Sequence, residues 1–269
     1  NQMKELGTDK DGNAIKMPMG KWWFQKAERR QYERVEFLPA MEAPGGVFNL
    51  WRGPAVVPKA GDCSLYLELV RQVIAAGNEV VSEYLLNWMA LKLQQVNVKL
   101  QTSIALRGGQ GLGKSVFAEN YGSLFGDGFV GVTDMKQHTG NFNAHLQRAL
   151  LVFGDEMSAS SNPQIVGRLK TMVTQRRIRI EPKGVDSFEA ENYFALILAS
   201  NNPHIVTTDA DDRRYLVLDV SDVRKNDLTF FRALDDQWRG GGGGGFAPLL
   251  VAPDATGFEH RPEPRPAAD

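Results

Sequence analysis

Five short apolar runs punctuate the chain, at 102–106, 129–133, 149–154, 193–199 and 215–220. Short runs of this kind predict strands of a parallel sheet, and the unbroken ones at 149–153 and 193–199 predict strands buried on both faces. Between them the apolar period becomes helical. Leu65, Leu69 and Val73 share one face of a segment that Asp62 caps and Gly77 stops. Tyr84, Leu85, Trp88 and Leu91 mark a helix from about Val80 to Gln95. Val116–Tyr121 reads as another, and Leu228–Trp238 as a late one. Ile165, Val166, Leu169, Met172 and Val173 place a helix over Pro163–Gln175, with Asn162 at its N-cap. One stretch alternates instead. Arg176-Arg177-Ile178-Arg179-Ile180, the turn Pro182-Lys183-Gly184 and the return Val185–Phe188 predict a β-hairpin. The pattern as a whole predicts an α/β fold with that hairpin inserted near 176–189.

Composition narrows the classes. The 269 residues carry a net charge of −1, so contact with nucleic acid must come from local patches. Arg168–Lys183 is such a patch, with six basic residues against one acid, Glu181. The single Cys63 excludes an internal disulfide and fits a reducing cytosol. Four histidines and one cysteine form no ligand cluster in the sequence. No apolar run reaches membrane-spanning length, and the expected location is cytoplasmic. In the polar stretch before residue 55, Lys21-Trp22-Trp23-Phe24 with Arg29-Arg30, and Trp51-Arg52, interleave rings with cations. Such clusters stack on single-stranded bases or pack a linker onto the next domain; the second is the expectation here. Gly240–Gly245 and the Pro/Ala-rich tail are expected to be a flexible linker.

The chemistry is concentrated at the strand ends. Gly108-Gly109-Gln110-Gly111-Leu112-Gly113-Lys114-Ser115 fits the phosphate-loop pattern at every fixed position, between a strand and a helix. The glycines let backbone N–H groups wrap a polyphosphate at a helix N-terminus. Lys114 would reach the β- and γ-phosphates, and the Ser115 hydroxyl would ligate Mg²⁺. The 149–154 strand ends in Asp155-Glu156, which suits one acid holding the metal and one acting as general base. The 193–199 strand leads to Asn201, whose amide suits a γ-phosphate or water contact. Arg213 and Arg214 precede the last strand, where an arginine can reach a neighbouring subunit's nucleotide.

These four motifs, in this order, resemble the superfamily 3 helicases of viruses, phages and plasmids, most closely the helicase half of phage and plasmid primase-helicases. The resemblance covers roughly residues 60 to 222 and rests on Gly113-Lys114-Ser115, Asp155-Glu156, Asn201 and Arg213. It implies an AAA+-like P-loop NTPase with a parallel central sheet, an inserted β-hairpin and a small N-terminal helical domain. It further implies ATP and Mg²⁺ as ligands, Arg213 as a finger acting in trans, homo-hexamers, and translocation on single-stranded DNA gripped by Lys183 with Arg177 and Arg179 on the hairpin flanks. For a phage-encoded protein the compartment would be the bacterial host cytoplasm. Asn1 in place of methionine suggests a fragment of a longer protein, with a primase domain upstream. The expected boundaries are 1–58 for an N-terminal linker or extension, 59–98 for the helical domain, 99–222 for the ATPase core, and 223–269 for a partial lid helix and flexible tail. Two other readings stay open. An AAA+ ATPase that remodels protein or nucleic-acid complexes without unwinding would lack DNA-stimulated turnover. An inactive nucleotide- or DNA-binding module is disfavoured by the intact set Lys114, Asp155 and Glu156.

Overall fold

A computed structural model describes residues 2–132, 143–155, 171–201, 214–251 and 258. The chain divides into two compact units, one of residues 1–36 and 43–49, the other of residues 37–42 and 50–269. In the first, β1 (Met3–Thr8) and β2 (Ala14–Pro18) pair antiparallel with a bulge between Glu5 and Gly7. A short helix α1 (Met19–Phe24) follows, and β3 (Arg34–Glu36) pairs parallel with β4 (Val47–Asn49).

The second unit holds the site. Its helices α2 (Ser64–Glu68, continued as a wider turn over Leu69–Ile74) and α3 (Glu79–Gln94) precede the sheet. Asp62 accepts a hydrogen bond from the Ser64 N–H at 2.9 Å, one residue outside the N-cap, Cys63. Asn78 caps α3 by accepting from the Val81 N–H at 3.1 Å. The sheet strands are β5 (Ser103–Arg107), β6 (Phe129–Val132), β7 (Leu151–Gly154), β10 (Ala195–Ser200) and β11 (Tyr215–Asp219). All five are parallel, in the order β11-β5-β10-β7-β6. Helix α4 (Lys114–Ser123) follows β5.

Successive strand residues face opposite sides, and both sides are covered. Ile104, Leu106, Leu151, Phe153, Ile197 and Ala199 join the helices in one buried cluster. Ala105, Val152, Leu196 and Leu198 face a second cluster with Met172, Val173, Ile178 and Ile180. Ile178 and Ile180 lie on β8 (Arg177–Ile180), which pairs antiparallel with β9 (Phe188–Glu191) to make the inserted hairpin. The return strand begins at Phe188, so Val185 lies in the connecting loop and not on a strand. Of the helix expected over 163–175, Thr171–Thr174 is described as helical and residues up to 170 lie outside the described residues.

The glycine run corrects the expectation of a flexible linker. Helix α5 (Leu228–Gln237) passes through a wider turn, Trp238–Gly242, into α6 (Gly243–Val251). Residues 242–247 are all buried. The reason is a close approach by the segment Lys59–Gly61 before α2. A Cβ on Gly244 would stand 2.8 Å from the Lys59 side chain, and one on Gly61 would stand 2.5 Å from the Gly241 carbonyl. A Cβ on Gly245 would collide with the Gly61 backbone. The Lys59 N–H donates to the Gly244 carbonyl at 3.1 Å. Tyr66 sits 4.7 Å from the Trp238 ring centre, tilted, and 4.8 Å from the Phe246 ring centre, edge to face.

Two lysines are held inside this unit by carbonyls. Lys92 is fully buried and donates to Val96 at 2.7 Å, Val98 at 3.2 Å and Tyr193 at 2.7 Å. Burial pushes its pKa down to about 7. Lys99 donates to the carbonyls of Met172 at 2.8 Å and Phe194 at 2.6 Å, and to the Asn192 side chain at 3.1 Å. Together they tie the root of the hairpin and the start of β10 to the segment after α3. Among the described residues no helix is long and apolar enough to cross a membrane.

Candidate functional site

Ligands of open parallel sheets sit beyond the carboxyl ends of the strands. Here β10 lies between β5 and β7, so three strand ends deliver their following residues to one place. Ser200 is in register with Arg107, and its carbonyl accepts from the Gly108 N–H at 3.2 Å. The loop from Gly108 to Gly113 then turns back into α4. Gly111 and Gly113 have φ of +74° and +85°, a left-handed backbone that L side chains rarely adopt. A Cβ on Gly113 would also stand 2.6 Å from the Phe231 ring. Leu112 is buried and pins the loop to the core. No side chain caps the N-terminus of α4, so its first amides and the positive end of its dipole face the loop.

Lys114 begins α4 and is buried. Its Nζ donates to the Gly108 carbonyl at 2.6 Å, the Gly109 carbonyl at 2.5 Å and the Asn201 Oδ1 at 3.1 Å. Burial lowers its pKa, and the Asp155 charge opposes that shift. Next to it the Ser115 hydroxyl donates to Asp155 Oδ2 at 2.8 Å. The structure therefore brings Lys114, Ser115, Asp155 and Asn201 together from three separate sequence motifs. Glu156 and Arg213 lie outside the described residues.

These groups line a cavity of about 320 Å³. Its far wall comes from residues the sequence did not assign to the site: Asn226, Leu228 and Phe231. Asn226 has φ +58°, and its N–H donates to the Gly111 carbonyl at 3.0 Å. Asp227 caps α5 by accepting from the Phe230 N–H at 3.0 Å, and Arg224 bridges Asp227 at 3.0 Å and Glu68 at 2.5 Å. The start of α5 is thus fastened to the loop. The Asn-Asp pair before a helix does mark a cap, but nothing local ties it to a loop more than a hundred residues earlier.

Ser115 and Asp155 place two hard oxygen donors side by side, a set that fits Mg²⁺ bound through few protein ligands. No group of three or more His, Cys, Asp or Glu that could hold a metal exists among the described residues.

The hairpin divides its cations into two kinds. Arg177 pairs with Glu189 at 3.2 Å and Glu191 at 3.4 Å. Arg179 pairs with Glu181 at 3.4 Å and donates to the Ser187 hydroxyl at 2.6 Å. Lys183 stands exposed in the turn, with no ion pair among the described residues. Asn143 steadies the base of the loop, donating to the Arg179 carbonyl at 2.9 Å and accepting from the Glu181 N–H at 2.8 Å.

Residues 106–214, from β5 to the start of β11, match a family of unknown function (DUF5906). The DNA primase-polymerase of Nitratiruptor phage NrS-1 is 29% identical over 146 residues, which are 52% of this chain and 20% of that protein. Two solved structures of the NrS-1 C-terminal region share the fold at 18% identity. One has a TM-score of 0.72 and matches 90% of this chain and 62% of that one. The other has a TM-score of 0.70 and matches 94% and 65%. The chain therefore spans about a fifth of this curated relative and under two thirds of its solved C-terminal region.

Proposed function

We propose that this chain is an ATP-dependent motor of a phage or plasmid replication protein, a superfamily 3 helicase core of AAA+ type. The observation that carries the reading is the convergence of Lys114, the Ser115–Asp155 pair and Asn201 at three adjacent strand ends. Relatedness to a phage primase-polymerase supports the replication context and is consistent with a primase domain elsewhere in the full protein.

In this reading the loop amides and the N-terminus of α4 cradle the β- and γ-phosphates. Lys114 moves its three hydrogen bonds from the loop carbonyls and Asn201 to the phosphate oxygens, and its buried charge neutralises them. Ser115 and Asp155 hold Mg²⁺, which when bound screens the charge on the transferring phosphoryl group. Asn201 orients the γ-phosphate or the attacking water. Glu156 accepts the proton of that water as its oxygen bonds the γ-phosphorus and the bond to the ADP oxygen breaks. Arg213 reaches the nucleotide of a neighbouring subunit in a homo-hexamer. Leu228, Phe231 and Asn226 line the wall against which the nucleoside lies.

Single-stranded DNA is the proposed track, and exposed Lys183 is its contact on the hairpin. Arg177 and Arg179, already paired with acids, contribute less. Lys183→Ala is expected to leave basal ATP turnover unchanged, to weaken binding of unrelated oligonucleotides alike, and to reduce the salt slope by roughly one ion. Salt-dependent anisotropy on several sequences checks this.

The test of the function is ATP turnover with and without single-stranded DNA. Wild type should hydrolyse ATP and be stimulated by DNA. Lys114→Ala should abolish turnover, and Glu156→Gln should keep nucleotide bound while losing hydrolysis. Turnover that DNA leaves unmoved would favour a remodelling ATPase. No turnover in the wild type, alone or with DNA, would leave the reading without its chemistry.

A further inference from the structure

The first compact unit shows a feature that the ATP site does not use. Two neighbouring aromatic side chains of its helix α1 are open: Trp23 is 45% and Phe24 is 68% exposed. Their rings meet edge to face at 5.7 Å, which leaves broad ring surface open to solvent. Trp22, beside them on α1, carries the ammonium of Lys4 at 5.3 Å and that of Lys26 at 5.1 Å over its ring. The Arg29 guanidinium lies 5.9 Å from the Phe24 ring centre. From Ala14 to Arg30 five cations stand against one acid, Glu28, in a chain whose net charge is −1.

The unit also lacks an interior. Among its described residues only Val47 is buried. A two-stranded ribbon with a six-residue helix and no apolar core is marginal by itself. Such a surface gains order from what it binds. The charge selects the occupant: stacking faces flanked by fixed cations suit alternating bases and phosphates, whereas a second copy of the same basic surface would be repelled.

We infer that β2 and α1 form a second binding platform for single-stranded nucleic acid, on which Trp23 and Phe24 stack with bases while Lys21, Lys26 and Arg29 meet phosphates. The platform belongs to the first unit and the hairpin around Lys183 to the second, and the platform needs no nucleotide in the ATP site. Rings and point charges read no sequence, so binding is general across base composition. The 2′-hydroxyl plays no part in stacking, so DNA and RNA strands are both accepted.

The experiment uses the whole chain and fluorescein-labelled 20-mers of dT and of U, followed by anisotropy over a salt series. The Trp23→Ala/Phe24→Ala variant changes only exposed side chains, so its fold is expected to be intact, and its circular dichroism and basal ATP turnover should match wild type. It should bind both oligomers about 10-fold or more weakly, with an unchanged salt slope. Lys21→Gln/Lys26→Gln should flatten the slope by roughly two ions and leave stacking in place. Binding by the ring variant within about twofold of wild type overturns the inference. So does a ring variant that changes the molecular mass in light scattering while its oligonucleotide affinity stays put, because the surface is then an interface between copies. A chain with no ATP turnover whose strand binding still depends on these rings supports this platform and counts against the motor.

Discussion

Two glycine-rich stretches lie in this chain, and they use the same residue differently. In the loop from Gly108 to Gly113, glycine supplies backbone angles as well as room: φ is positive at Gly108, Gly111 and Gly113, and a Cβ on Gly113 would meet Phe231. In the run from Gly240 to Gly245, φ is positive only at Gly241, and the rest of the run is wound into helix. There glycine supplies the absence of a Cβ, so that the backbone at Lys59–Gly61 can lie against α6. The first stretch shapes a binding surface, and the second shapes a packing contact. Glycine composition alone does not separate the two; the partner across the contact does.

That distinction can be broken by single methyl groups. The largest effect is expected at Gly113. Alanine there must adopt a left-handed backbone and push its Cβ to 2.6 Å from Phe231. Misplacing Lys114 and Ser115 by an ångström should lower nucleotide affinity by about 100-fold, measured by titration calorimetry. Gly245→Ala should do the reverse. Overpacking against Gly61 should cost about 1–3 kcal/mol of unfolding free energy in urea, with nucleotide affinity unchanged in the folded protein. Equal effects of both variants on both readouts would dissolve the comparison.

Buried lysines repeat the lesson in another residue type. Lys114 and Lys92 both donate to backbone carbonyls, yet one lines the cavity and the other is sealed in the core. Burial holds the folded pKa of Lys92 at about 7, whereas the unfolded chain keeps its proton to about 10.5. Between those values the unfolded state binds the extra proton, so stability rises with pH, by at most about 1.4 kcal/mol per unit from this group. Below pH 7 both states are protonated and the slope from Lys92 vanishes. Lys92→Met should remove that rise, as measured by urea unfolding at several pH values. A parallel pH profile in the variant would show that Lys92 keeps its charge in the fold.

The smallest effect is expected at Gly240, where a Cβ meets nothing within 4 Å. Gly240→Ala should stabilise the chain by about 0.5–1 kcal/mol through helix propensity and reduced freedom of the unfolded chain. A destabilised Gly240→Ala would mean that the whole run, and not its contact with Lys59–Gly61, needs glycine.

The parts legible in the sequence were those where chemistry or burial acts locally. Strands β5, β7 and β10 are mostly apolar because both faces are covered, and their ends were placed within two residues. The loop was legible because its glycines, Lys114 and Ser115 have a fixed spacing. Asn226 and Phe231 were not, because their meeting with Gly111 and Gly113 is made by the return of α5 to the loop. The glycine helix was misjudged for the same reason: its partner, Gly61, lies about 180 residues upstream. In the hairpin the alternation of Ile178 and Ile180 was readable, whereas the pairing of Arg177 and Arg179 with acids on β9 and in the turn depended on a register the sequence does not display.

The central claim is that the loop ending in Lys114 and Ser115 holds a nucleotide polyphosphate. Isothermal titration of ATP with Mg²⁺ into wild type and Lys114→Ala addresses it most directly. One site per chain in the wild type, with heat lost or affinity down by about 100-fold in Lys114→Ala at unchanged thermal stability, is the expected result. Equal binding by the two proteins, or none by the folded wild type, would contradict the account.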